Sequence, residues 1–156
     1  MIVGKEVTRR VPISSQLRSV SLWFHNIARA DVESARHQLL DLTDAIDHHS
    51  RDLEQWSRVL GADANDFSVT LASSIAFVAS ALQEMPLRSI CRTLQSNNRT
   101  DTARAGEQLP GVAQMLDQQA SELFRYSEDL RDRGYNVAAP SIALIAGSLG
   151  VTTAQK

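Results

Sequence analysis

One cysteine, Cys91, in 156 residues excludes an intrachain disulfide framework. Aromatic residues are scarce as well: two tryptophans, two tyrosines and four phenylalanines leave Leu, Ala, Val and Ile to fill the core. No run reaches the roughly 18 continuous apolar residues of a membrane span, and the first residues lack the apolar stretch of a secretory signal. They are instead rich in Arg and Ser and poor in acids, a composition that organelle transit peptides share with docking arms. There is no glycine-rich phosphate loop, no metal-finger spacing and no nucleophile elbow. Glu-x-x-His, which bundle di-metal sites take from each of two helices, occurs nowhere in the chain. The sequence therefore implies no cofactor and no enzyme. Its length suits one domain, large enough to bury a core without a metal or disulfide staple.

What is present is heptad spacing. Ala35, Leu39, Leu42, Ile46, His49, Leu53, Trp56 and Leu60 follow one another at alternating steps of four and three, and Leu109, Ala113, Leu116, Ala120, Leu123, Ser127 and Leu130 repeat the rhythm. Such spacing lines one face of a long helix with a seam that a partner helix covers. The first seam predicts a helix over about 31–60, with Gly61 in the left-handed conformation that ends it. The second predicts a helix that opens on Pro110 as its first residue and stops at Gly134.

The remaining elements follow from shorter patterns. Residues 1–13 read as an irregular arm. Ser14 and Ser15 are N-cap candidates for a short amphipathic helix over about 15–29, striped by Leu17, Val20, Phe24 and Ile27. Phe67, Leu71, Ile75, Val78, Leu82 and Met85 stripe another helix that carries no charge as far as Gln83. Ala and Ser between these positions would let it pack on more than one side, as the central helix. Pro86 should kink or break it, while Leu87, Ile90 and Leu94 carry the pattern to about 95. A last helix starts near Pro140 and uses Ile142, Leu144, Ile145 and Leu149. Its surroundings, uncharged from Tyr135 to Gln155, are expected to dock on the rest. Short linkers favour antiparallel neighbours. The expected fold is all-α: an up-and-down, antiparallel helical bundle of three long helices, with a short amphipathic N-terminal helix and a short C-terminal helix. One domain spans 14–150, between the arm and a tail at 151–156.

The net charge of −2 is unevenly spread. Residues 1–30 hold Lys5, Arg9, Arg10, Arg18 and Arg29 against Glu6, a balance of +4, whereas 11 basic and 17 acidic residues give 31–156 a balance of −6. Antiparallel topology would bring Arg29, Arg88, Arg92, Arg99 and Arg104 to one end, with the arm nearby. Guanidinium groups so clustered grip phosphates. Trp23 and Phe24 would sit beside them as an anchor for a membrane interface or a partner helix. Nucleic acid is disfavoured, because the body is acidic, the pI is near 6.1 and no groove-entering motif is visible.

Three further places invite chemistry. Asp44, His48 and Asp52 share a helix face, a donor set that could hold a divalent metal, but a solvated face is the better account and no metal site is expected. His49 falls on a seam, where a polar residue fixes register and burial lowers an imidazole pKa. Cys91 lies between Arg88 and Arg92, cations that stabilise a thiolate, yet a lone free cysteine is ordinarily a small core residue. The function expected is a non-enzymatic interaction module. It would present a helix face or bundle tip to a protein partner, or to its own copy. The alternative is a localisation domain that binds anionic lipid headgroups through Lys5, Arg9, Arg10, Arg18, Arg29, Arg88, Arg92, Arg99 and Arg104.

Overall fold

Both heptad stretches are helical. The structure, a computed structural model, describes residues 11–23, 29–63, 65–94 and 99–151, and within these the side chains of all but 23, 29–32 and 99–102. Six helices and no strand occur among the described residues: α1 (Ile13–Trp23), α2 (Arg29–Gly61), α3 (Asp66–Gln83), α4 (Leu87–Thr93), α5 (Arg99–Asp132) and α6 (Ala138–Leu149). They pack against one another around a single buried cluster.

α2 and α3 run antiparallel, held by two serines. Ser50 Oγ donates to the Ala79 carbonyl at 2.9 Å, and Ser57 Oγ donates to the Ala72 carbonyl at 2.8 Å. The buried line of α2 is Ala35, Leu39, Leu42, Ile46, Ser50, Leu53 and Leu60. His49 and Trp56, expected on the seam, are half-buried on its flank. A straight helix drifts from a strict seven-residue repeat, and Ser50 takes the central place. It is small enough to admit the α3 backbone, and the Ala79 carbonyl satisfies its buried hydroxyl. Gly61 is the last helical residue rather than a left-handed one.

Asn65 opens α3, its side chain accepting the Ser68 N–H at 2.9 Å. Ser68, Leu71, Ala72, Ile75, Val78, Ala79 and Leu82 are buried. On the opposite face Val69, Thr70, Ser73, Phe77 and Ser80 are exposed. α3 is thus packed on one side and is not the central helix; α5, in contact with α1, α3, α4 and α6, holds that place. By length and hydropathy alone, Asp66–Thr93 is apolar enough to cross a membrane. It is broken before Pro86, and α4 resumes with Leu87, Ile90 and Cys91 buried.

α5 starts at Arg99 and runs through Pro110, which is therefore internal and not the opening residue. Proline has no N–H to give to the carbonyl four residues back, here that of Gly106. Ser21 Oγ of α1 donates to that carbonyl at 2.9 Å in a buried setting. The neighbouring helix supplies the bond that proline removes, so the long helix continues. All seven seam residues of α5 are buried, Ser127 with its hydroxyl on the Phe124 carbonyl at 2.7 Å. Gly134, at φ 86°, ends the run. The Tyr135 N–H reaches the Leu130 carbonyl at 2.9 Å and the Gly134 N–H reaches Arg131 at 3.0 Å, the paired bonds of a Schellman cap.

α1 and α6 both pack along α5. α1 opens on Pro12, whose carbonyl accepts the N–H groups of Ser15 and Gln16. Ser14 is buried and does not cap the helix. Ile13, Leu17 and Val20 face the core; Phe24 and Ile27 lie outside the described residues. α6 begins two residues before Pro140, so the proline sits in a first turn whose N–H groups have no helical partner in any case. The segment docks on α5 through Ala138, Ala139, Ile142, Ile145, Ala146 and Leu149, while Leu144, expected in the stripe, points outward.

Candidate interaction surface

Two of the candidate anion-binding arginines have acidic partners among the described residues. Arg18 forms an ion pair with Asp117 at 2.8 Å, and Arg88 pairs with Asp47. Asp47 lies 18 residues into α2, about 27 Å along it at 1.5 Å per residue, so α4 sets Arg88 against the middle of α2 and away from its end. Arg92 and Arg104 are exposed. Arg29 and Arg99 are the first residues of α2 and α5, and Trp23 is the last of α1. The side chains of these three are outside the description, as are Lys5, Arg9, Arg10 and Phe24 altogether.

Asp117 is a residue that the spacing of sequence motifs did not single out. One of its oxygens accepts the Ser14 hydroxyl at 2.5 Å and the Val151 N–H at 2.8 Å, while the other meets Arg18. Gly150 lies so close that a Cβ there would stand 2.9 Å from the Asp117 Cα. The start of α1 and the end of α6 thus meet on one carboxylate, midway along α5. The sequence did hold a signal: Asp117 is the one charged residue between Glu107 and Glu122.

At one end of the bundle a second polar group ties two loops. Tyr135 donates its hydroxyl to Asp63 at 2.7 Å, Asn65 bonds both, and the Arg133 guanidinium lies 4.2 Å from the Phe67 ring centroid.

The histidines and the cysteine are not assembled for catalysis. His48 stands 3.4 Å from Asp52 on an exposed face, and no three His, Cys, Asp or Glu side chains converge among the described residues. Burial, then the neighbouring His48, lowers the His49 pKa from its ordinary value, while Asp52 opposes the shift. His49 Nδ1 is buried without a hydrogen-bond partner. Burial also pushes the Cys91 thiol up, against the bond to Thr43 and the nearby Arg36 and Arg88. A thiol raised in this way supplies little thiolate.

A trench of about 720 Å³ lies along α5. Phe77 of α3 stands at one rim and Val151 at the other, with Gln114, Gln118, Glu122 and Tyr126 between them. Phe77 is 74% exposed, the most exposed large apolar side chain among the described residues. Among the described residues that line the trench there is no lysine or arginine. Asp117 is paired as described, and Glu122 meets Arg125 and accepts the Tyr126 hydroxyl at 3.2 Å. Phe77 was legible as an aromatic residue off the Ile75–Val78 stripe in an uncharged segment. The trench was not, because it joins residues from three parts of the chain.

These features define a class, an all-helical protein with an exposed aromatic ring beside an amide-lined trench. Compared with known proteins, the chain matches no protein-family model, no curated protein and no solved structure.

Proposed function

We propose that this chain is a non-catalytic docking module that presents the α3–α5 face to a protein partner. The antiparallel pairing of α2 with α3 supports reading the whole as an up-and-down bundle, a rigid frame for such a face. The observation that carries the proposal is Phe77. We read this ring, the most exposed large apolar side chain among the described residues, as an anchor, since buried aromatic anchors supply much of the energy at protein interfaces. The surrounding residues are polar but uncharged or already paired, so binding here is expected to persist at high salt.

A photo-crosslinking phenylalanine analogue at position 77, with a second at exposed Asp129 as control, tests this in cells. Protein adducts at 77 that are absent at 129, and that Gln118→Arg in the trench suppresses, are the expected result. Equal labelling at both positions, or none, overturns the docking face. Flotation of the full chain with anionic vesicles, lost at physiological salt and absent with neutral ones, would replace it with the reading in which the arginines hold lipid headgroups.

A further inference from the structure

We infer that the partner of the Phe77 face is a second copy of this chain, related by a two-fold axis; this rests on the docking reading above. A two-fold contact uses one surface twice, so that surface has to be complementary to itself. Three features meet that condition. Knob and trench lie side by side: Phe77 protrudes at the rim of a hollow of about 720 Å³, so each copy can offer its ring to the other's trench.

The floor is also self-complementary in chemistry. Gln114, Gln118 and Gln119 line it, and each side-chain amide carries both a donor and an acceptor. Glutamine can therefore pair with glutamine across a two-fold, whereas a floor of carboxylates or of guanidinium groups would meet its own charge. The acids that are present, Asp117 and Glu122, already have Arg18 and Arg125 as partners.

Charge on the flanking helix points the same way. α3 carries none from Phe67 to Gln83, although residues 31–156 as a whole are acidic. Two copies approaching by this face avoid the repulsion that other faces would bring. A basic partner would find no unpaired acid among the described lining residues to attract it, and the arginines nearest them, Arg18 and Arg125, are held by Asp117 and Glu122.

Sedimentation equilibrium on the purified full chain, from micromolar to millimolar, tests the inference. Wild type is compared with Phe77→Asp and with Leu144→Asp, which alters an apolar side chain 67% exposed on α6. The expected result is a monomer–dimer equilibrium indifferent to salt, weakened about 30-fold or more by Phe77→Asp, as for a central aromatic anchor, and unchanged by Leu144→Asp. Unaltered helicity would show that each variant folds. Mixing Phe77→Cys with Gln118→Cys should give a disulfide-linked dimer joining the two variants, with buried Cys91 left in place.

A wild type monomeric throughout, or a dimer equally weakened by both aspartates, overturns the inference. The docking reading fails separately. Adducts at position 77 to a protein of another mass would leave that reading standing without the dimer, and no adduct at all would remove both.

Discussion

Pro110 lies inside α5 because Ser21 repairs the damage. The Gly106 carbonyl, left without its helical donor, takes the Ser21 hydroxyl instead. An unpaired buried carbonyl costs about 1–3 kcal/mol, so Ser21→Ala should destabilise the fold by about that amount in urea unfolding. The double-mutant cycle is sharper. Pro110→Ala restores an N–H at the right place, and in that background Ser21→Ala should cost much less. Equal costs in the two backgrounds would show that the serine acts in some other way. Sequence alone does not reveal this pair, since the two residues are 89 positions apart and proline inside a heptad ordinarily marks a boundary.

His49 belongs to the same scale. Its pKa is lowered in the fold, chiefly by burial. The unfolded chain therefore takes up the proton near the ordinary value of about 6.5, while the folded chain resists until a lower pH. Between those values the unfolded state binds more protons, so stability falls as pH falls through the window and is fully present above it. His49→Leu removes both the titration and the unpartnered Nδ1. Urea midpoints at pH 7.5 and 5.5 should drop more for wild type than for the variant, by at most about 1.4 kcal/mol per pH unit in the difference. Parallel drops would exclude His49 as the source.

Among the elements, periodicity carried well where packing was one-sided and less well where helices crowd. Every seam residue of α5 is buried as spaced. On α2 the spacing placed His49 in the core, yet the close approach of α3 selects Ser50, a choice made by the partner helix. α3 itself gave a correct stripe, but its freedom from charge did not mean burial on every side. α1 and α6 show how one side chain couples elements that periodicity treats separately. Asp117→Ala should release Ser14, Arg18 and the Val151 N–H together. Hydrogen exchange is expected to quicken in both 13–23 and 145–151 and to stay unchanged in 46–60 and 71–82. Acceleration confined to one of the two helices would mean that Asp117 does not couple them.

At the scale of the molecule, the all-helical class was legible because apolar spacing is local, whereas the expected five helices are six, the third being broken before Pro86. The trench was not legible, because its walls come from α3, α5 and the residue that follows α6. The same long-range placement shapes the backbone. α3 and α4 lie one after the other beside α2, joined through Glu84–Pro86. α6 and α1 both lie beside α5 and touch each other, and the Asp117 carboxylate bonds to both ends.

Among the described residues the packing accordingly closes a circuit, in which Ser14 and Val151 meet in the middle of α5 and not at its tip. The arrangement of the helices in space, more than their order along the chain, is then expected to fix the fold. A circular permutant that joins Lys156 to Met1 and opens between Ala62 and Asp63, both exposed, should fold cooperatively with the parent's helix content by circular dichroism. A molten or unfolded permutant would mean that the order of the helices along the chain matters as much as their arrangement in space.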